Sequence, residues 1–585
     1  HIVRKHPRQA IFAYQPIRII LFLRLLSEGK MHRFSYVHKM RTSPLQYRTI
    51  PDCIKEKAAD IPDAEAFIIL NEDSGRTSIT WRQLYQRSVE FAKSLMSLGV
   101  NEKDVVAISG PNCPEWLYAA FGTMMARAIP ATINFTYSDG SDVVAMLKKL
   151  ESCSTFILHP GFENKQWRIL KSLLERIEEN GNIACRNVPS MKRLIFMAKP
   201  TNERDLLLPL VSEMIEGQPC NLELPPIDPE DIAYILQTSG STGVPKPLAH
   251  THFSITCFSL DGIMNVEIKR YNDRNFGWIG GFPLNVCTGE TRITPCHLSE
   301  TTNYLDFMIK SIQRERCSWA VCLPSMLKAL LDRKNTLPND WPLKTIVLGG
   351  QPISALFASA VGTVCRSLFI IYSSSESLTI SGKFVTSAEE YQPYSVGYVM
   401  KGVEVKVVDD EGHPVSIGTR GEIYARSSTL FLNYFNDPEK TRKSKTESGW
   451  YKTDDVGYLT ETGELIVEGR KSDIIICGGL NITPSIIESL LKTCPGVDDV
   501  AVVPLSHPIL FQVVCACVVP NVGSGLTEEA LHTFCKEKHV DKAGRFTVLP
   551  TKYILLHEFP RTYTGKIDKK SLQREAKVRF GVNSY

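Results

Sequence analysis

The chain has 585 residues, 67 basic and 63 acidic side chains and a formal net charge of +4. That length implies roughly three or four domain-sized units, and the near balance of charge gives no argument for nucleic acid as a partner. The 16 cysteines show no repeating spacing and no Cys-x-x-Cys pair, which points to free thiols in a reducing compartment and away from a structural zinc site.

Residues 1–27 contain no Asp or Glu but carry Arg4, Lys5, Arg8, Arg18 and Arg24, and Ile17 to Leu26 is otherwise apolar. This stretch is too short and too charged to span a membrane. It reads either as a mitochondrial-type presequence or as an upstream extension before Met31. No later run reaches roughly 18 apolar residues, so no integral membrane span is expected.

Residues 31–60 are polar and proline-containing, and read as an arm over the first domain. From Trp81, Leu84, Phe91, Ala92, Leu95 and Leu98 recur mostly at helical spacing, and Gly99 fits a cap. Asp104 to Ser109 and Ile129 to Ile133 are strand candidates, separated by the breaker Pro111-Asn-Cys-Pro114. Alternation at this spacing predicts an α/β domain with a largely parallel sheet. Residues 196–231, rich in Pro, Glu and Asn, read as a surface connection.

A strand-like run, Ile232 to Leu236, leads into Thr238-Ser239-Gly240-Ser241-Thr242-Gly243-Val244-Pro245-Lys246. Glycines let backbone N–H groups approach a ligand, hydroxyls add donors and Lys246 adds a mobile positive charge, a combination suited to phosphate. The spacing is not that of a P-loop, where Ser or Thr follows the lysine; here Pro247 does. A flexible surface loop is the alternative. Apolar runs resume at Leu343 to Leu348 and Leu368 to Tyr372, each ending in a Gly or Ser cluster of the kind that binds ligands at strand ends.

Tyr372-Ser-Ser-Ser-Glu376 could hold phosphate oxygens and a magnesium ion, which prefers oxygen ligands; equally, Ser375 could cap a helix with Glu376 in its first turn. Short strands with turns between them predict a small β-rich unit at roughly 395–469. Within it, Asp454-Asp455 could hold a metal or a ribose, or form a turn. Arg470 could bind ribose or phosphate, or be a surface ion pair. A compact α/β segment follows, with a helix from Pro484. In Thr564-Gly565-Lys566 the lysine could face a transferring phosphoryl group or lie in a surface turn. His250 and His252 lie just beyond the 238–246 loop.

In this order the pieces resemble the AMP-forming acyl-CoA synthetases of the adenylate-forming superfamily, from about Trp81 to Lys570. The stretch Tyr234 to Lys246 is similar to the phosphate loop, Gly349-Gly350-Gln351-Pro352 to the adenine-side loop, and Tyr372 to Glu376 to the motif with an aromatic residue on adenine and a magnesium-binding glutamate. Tyr451-Lys-Thr-Asp-Asp455 is similar to the motif ending in the ribose-binding aspartate, Gly469-Arg-Lys-Ser-Asp473 to the interdomain hinge, and Pro560 to Lys566 to the motif bearing the catalytic lysine. Phe34-Ser-Tyr-Val-His38 and Ile474 to Pro484 resemble the medium-chain subgroup, often mitochondrial.

The resemblance implies two α/β subdomains plus a small β-barrel-like subdomain over residues 31–471, and a mobile α+β domain over 472–585. It implies that Lys566, Ser375 and Glu376 act in catalysis. Thr238, Ser239, Gly240, Ser241, Thr242, Gly243, Lys246, Gly350, Gln351, Pro352, Tyr372, Asp455 and Arg470 would bind the nucleotide, with Glu376 on the metal. Ser472 would be the hinge, Gly479 would approach the pantetheine channel and Val286 would line the acyl pocket or simply pack in the core.

The chain departs from the family at Pro247 and Asp454, where glycine is usual, at Ser472, where the hinge usually carries charge, and at Val286, commonly aromatic or histidine. The implied reaction is ATP- and Mg²⁺-dependent activation of a hydrophobic carboxylic acid and its transfer to coenzyme A. The alternatives are transfer to the pantetheine of a carrier protein, and a non-catalytic nucleotide-binding protein. A mitochondrial location is the first expectation and a cytoplasmic one the second.

Overall fold

Thr49 and Thr80 start the first two helices of the described residues by the same device. Thr49 Oγ1 accepts from Asp52 N at 3.1 Å while the Asp52 carboxylate accepts from Thr49 N at 2.9 Å, opening α1 (Ile50–Asp60). Thr80 and Gln83 make the same reciprocal pair, at 3.2 and 3.0 Å, ahead of α2 (Trp81–Ser97). Each pair satisfies two N–H groups that a helix start leaves without partners. The computed structural model describes residues 33–73, 75–135, 139–178, 180–201, 208–217, 221–238, 246–258, 267–296, 298, 302–350, 355–477, 480–507, 509–538, 549–562 and 565–581. Ser239, Gly240, Ser241, Thr242, Gly243, Gln351, Pro352, Gly479 and the basic extension lie outside the described residues.

Two sheets dominate the first 470 residues. The seven-stranded sheet has the order Asn433–Tyr434, Lys246–Thr251, Ile232–Thr238, Ile129–Thr132, Val105–Ser109, Cys153–Leu158, Arg193–Phe196. Its last five strands run parallel, as the βαβ spacing predicts. The second sheet has 14 strands. Its parallel part includes Thr291–Pro295, Trp319–Cys322, Thr345–Leu348 and Ser367–Ser374. Between the sheets lie α2 and α3 (Pro114–Met125): Phe91, Leu95, Trp116 and Leu117 share one core with Phe67 and Ile69 of the long sheet and Val106 and Ile108 of the other.

The expected β-rich unit is present as Ser395–Val399, Val403–Val408, Gly421–Ser427, Tyr451–Leu459 and Glu464–Arg470. It is a continuation of the long sheet: Ser381 and Gly382 pair with Val399 and Tyr398. Among the described residues its strand pairing does not close into a ring, and its strands wrap one core that includes Ile380, Val399, Val405, Ile423 and Leu465. The arm expected at 31–60 is also more structured than its polar composition suggests. Tyr36–Lys39 pairs with Val403–Val408, and α1 buries Ile50, Cys53 and Ile54, an i, i+3, i+4 stripe hidden among charged residues. The expected connection at 196–231 contains the helix Val211–Glu216, with Val211 and Ile215 buried one turn apart.

The remaining chain forms a smaller α+β domain. Val497–His507 and Phe511–Pro520 are its central strands. Val500 and Val502 face a core with Ile487, Leu491 and Leu531; Ala501 and Val503 face another with Leu572 and Ala576. That alternation is the period of two of a strand buried on both sides. Among the described residues no helix is long and apolar enough to cross a membrane.

The approach of α2 to α3 depends on Gly122. A Cβ there would stand 2.8 Å from Ser88 O and 2.9 Å from Phe91 Cδ1. Gly122→Ala should therefore destabilise the large region by about 1–3 kcal/mol, read as a lower urea midpoint; an unchanged midpoint would show that the helices separate freely. Burial also pushes His250 and His252 down to about 4 from 6.5. His252 Nδ1 accepts from Ile50 N at 3.3 Å, completing the start of α1. Both rings are neutral above the unfolded value; as pH falls from 6.5 toward 4 the unfolded chain takes up protons that the folded chain does not, so stability is lost across that window. The loss should reach about 2 kcal/mol per histidine by about pH 5, and a His250→Gln/His252→Gln variant should show a flatter dependence in the same unfolding measurement.

Candidate active site

The strand Ser367–Ser374 carries Tyr372 to the edge of the cleft, then turns back through Ser375 and Glu376 into Leu378–Val385. Leu378 takes φ 56 in that tight return. The helix start considered for Ser375 and Glu376 does not form, because the chain pairs Ser374 with Leu378 instead. A register shift between Tyr372 and Ser373 re-aims the tyrosine. Ser375 is held from behind: its carbonyl accepts from His250 Nε2 at 2.8 Å, which fixes the neutral imidazole with its proton on that nitrogen.

Asp455 and Arg470 face each other across two antiparallel strands. Arg470 Nε lies 3.0 Å from Asp455 Oδ1, and Tyr372 donates its hydroxyl to Asp455 Oδ2. Arg470 Nη1 also donates to Thr453 O at 3.2 Å, and Thr453 Oγ1 accepts from Asp455 N at 3.1 Å. Asp455 is buried, and burial pushes its carboxyl above the usual range although Arg470 and Tyr372 pull the other way. Asp454 belongs to the same strand, not to a turn, and takes φ 61. That is the left-handed region where glycine is most at ease and Asp is tolerated, which explains why an aspartate can stand at a position where the resembling family has glycine.

Glu376 accepts from the Tyr434 hydroxyl at 2.8 Å through Oε1. Lys246 begins the strand Lys246–Thr251, and its carbonyl accepts from Thr238 Oγ1 at 3.3 Å, so both ends of the Gly/Ser/Thr loop are pinned together. Pro247 pairs with Gln237, and its carbonyl accepts from Phe435 N at 2.9 Å. In a strand the N–H of a residue points the same way as its C=O, so the missing donor of Pro247 falls toward the two-residue strand Asn433–Tyr434 and leaves the main ladder whole.

Lys566 is presented by a tight hairpin. Gly565, at φ 78, donates to Thr562 O at 2.8 Å, and Thr562 N donates to Lys566 O at 2.7 Å. A Cβ on Gly350 would stand 4.0 Å from Lys566 Cε. The Lys566 side chain is exposed at the surface yet has protein groups close around it; desolvation, then Arg470, lower its pKa, against the pull of Asp455 and Glu376. The smaller domain is held in this position by Tyr394, which donates to Ser485 O at 2.7 Å, by Ser485, which donates to Glu468 O, and by Lys328 at 3.3 Å from Asp498.

Thus Tyr372, Ser375, Glu376, Asp455, Arg470, Lys566 and Gly350 converge, with Thr238 and Lys246 at the Glu376 side. Ser472 is exposed on the single turn Lys471–Asp473 that leaves the last strand of the large region. Val286 stands apart, wholly buried on Asn285–Thr288 in the core that also contains Tyr234, Phe282 and Trp116. Thr453 belongs to the motif Tyr451 to Asp455 that the sequence singled out; Tyr434 and Lys440 were not singled out. Only Asp437-Pro438, a helix-start signal between Tyr434 and Lys440, pointed there.

The Glu376 carboxylate accepts one hydrogen bond from Tyr434 and retains lone pairs for a hard cation. Among the described residues no group of three or more His, Cys, Asp or Glu could hold a metal alone.

Comparisons with known proteins bear on the family and the fold. A family model described as AMP-binding enzyme matches residues 54–435, and one described as AMP-binding enzyme C-terminal domain matches residues 486–566. The chain is 28% identical over 573 residues to the mitochondrial medium-chain acyl-CoA ligase ACSF2 of Danio rerio, covering 94% of this chain and 91% of that one. It is 26% identical to the Homo sapiens ACSF2, covering 92% and 89%. Among solved structures, the ATP-bound MatB from Rhodopseudomonas palustris superposes with a TM-score of 0.75 at 20% identity, covering 92% of this chain and 100% of that one. The anthranilate CoA ligase AuaEII in complex with anthranoyl-AMP gives 0.75 at 22%, covering 92% and 99%. At those identities the two structures establish the fold. With one family model spanning most of the large region and the other most of the smaller domain, the chain belongs to the AMP-binding enzyme family.

Proposed function

We propose that this protein is an AMP-forming acyl-CoA ligase that activates a hydrophobic carboxylic acid with ATP and transfers the acyl group to coenzyme A. The observation that carries the reading is the position of Lys566, brought by the smaller domain to the cleft that holds Asp455, Arg470 and Glu376. In the first step a carboxylate oxygen of the acid attacks the α-phosphorus and pyrophosphate leaves. Negative charge builds on the α-phosphate oxygens, and the Lys566 ammonium is placed to meet it. Asp455 accepts hydrogen bonds from the ribose hydroxyls, with Arg470 fixing its carboxylate and Tyr372 against the base. Gly350 is assigned to the other side of the base site, and Gln351 and Pro352, which lie outside the described residues, are assigned there by the family resemblance alone.

Thr238, Lys246 and the loop between them hold the β- and γ-phosphates. Glu376 would hold magnesium together with the phosphates, and the ion would supply charge neutralisation there. Ser375 is assigned a hydrogen bond from its hydroxyl to a phosphate oxygen.

In the second step the smaller domain, taken as 472–585, turns about Ser472, withdrawing Lys566 and bringing the segment at Gly479 toward the thiol. The coenzyme A thiolate attacks the acyl carbonyl and AMP leaves. Val286 is assigned to the inner wall of the acyl pocket. The named mitochondrial relatives and the basic stretch 1–30 together support a mitochondrial location, and the thiol acceptor is taken as coenzyme A rather than a carrier protein.

Incubation with ATP, Mg²⁺, coenzyme A and a panel of fatty and aromatic acids should yield AMP and one acyl-CoA series by mass spectrometry. Acid-dependent pyrophosphate exchange with no acyl-CoA would favour a carrier acceptor; ATP binding with no acid-dependent AMP would favour a non-catalytic protein. Lys566→Ala should slow adenylation by roughly 10²–10³-fold while leaving thioesterification of supplied acyl-adenylate near wild type; equal loss in both half-reactions would remove Lys566 from its role. Because the Lys566 pKa is lowered, its charge is lost at a pH below that of an ordinary lysine, 10.5. The alkaline limb of adenylation should therefore come early, and Lys566→Arg, permanently charged, should move it upward.

A further inference from the structure

Lys440 lies outside both matched segments, 54–435 and 486–566, yet its ammonium reaches the site. Its Nζ stands 4.4 Å from the centre of the Tyr434 ring, and the hydroxyl of that ring donates to Glu376 Oε1 at 2.8 Å. One aromatic side chain thus carries a cation on its face and the metal-binding carboxylate at its tip. The Lys440 and Lys246 side chains meet, so two ammonium groups from distant parts of the chain are neighbours; Glu376 and Asp437 are the acidic groups that face them. Among the described residues neither lysine has a carboxylate within the 4.0 Å of an ion pair.

The placement is built in. Asp437 Oδ1 accepts from Lys440 N at 3.0 Å, and Thr441 Oγ1 accepts from Tyr434 N at 3.0 Å, so the turn from Tyr434 into the helix Pro438–Ser444 is locked on both sides. Two cations side by side repel, and the arrangement suits a ligand that brings several negative charges to one point. The nucleoside end of the site, at Asp455 and Tyr372, belongs to other strands. We propose that Lys440 is a second cation beside Lys246 for the β- and γ-phosphates of ATP and for the departing pyrophosphate. This rests on the ligase reading above.

Calorimetric titration of the whole protein with Mg²⁺-ATP, Mg²⁺-pyrophosphate and AMP tests it without turnover. Lys440→Ala should weaken ATP and pyrophosphate by about tenfold, leave AMP within about twofold, and be largely rescued in Lys440→Arg. Unchanged ATP affinity in Lys440→Ala, an equal loss for AMP, or an arginine variant as weak as the alanine one would overturn the proposal. A wild-type protein that binds neither ATP nor AMP would overturn the ligase reading with it. Lys440 is half-exposed on a short surface helix, so the alanine variant is expected to fold, and matching unfolding midpoints verify this.

Discussion

A buried carboxylate must be paired, and in this molecule the pairing of Asp455 ties three regions together. Its charge is removed from water, which raises its pKa, and it is answered by the Arg470 guanidinium at 3.0 Å and by the Tyr372 hydroxyl. Tyr372 comes from the parallel part of the long sheet, Asp455 from the β-rich part, and Arg470 ends the strand that leads to the smaller domain. Removing any partner leaves a buried charge exposed to its desolvation cost.

Around that trio charges of both signs gather. Lys246, Lys440, Arg470 and Lys566 bring positive charge, with Glu376, Asp437, Asp454 and Asp455 as the acids around them, and it is the cations at the Lys246 side that stand in contact. Neighbouring cations repel one another in the absence of a polyanion and are stabilised by one. The family departures fit within this scheme. Pro247 loses its N–H on the side of a two-residue strand, so the main ladder is intact. Asp454 occupies a left-handed position that glycine would fill more easily. Neither change removes a group from the trio.

Much of the fold was legible in the sequence because local pattern determines it. Leu84, Phe91 and Leu95 lie on one face of a real helix, and Val105–Ser109 and Ile129–Thr132 are the strands their apolar runs announce. What was not legible depends on partners far away in the chain. Tyr36–Lys39 is a strand only because Val403–Val408 offers it an edge. The β-rich unit joins the long sheet through Val399 and Tyr398, a pairing that no short window contains. Of the site, Glu376, Asp455, Arg470 and Lys566 were found through ordered motifs; Tyr434 and Lys440 were not, because a lone tyrosine and a lysine in a polar run carry no local signal.

The sequence by itself determined the chemical parts: the Gly/Ser/Thr loop, the hydroxyl cluster before Glu376, the aspartate of the β-rich unit and the lysine near the C-terminus. These are local, since backbone freedom and side-chain chemistry at fixed spacing do not need a fold to be recognised. Tertiary structure alone decided that the C-terminal lysine stands near Gly350, that Asp455 is paired across strands with Arg470, and that Tyr434 joins Glu376 to Lys440. Those meetings are set by strand register and by the docking of one domain on another, and contacts of that range leave no period in the chain.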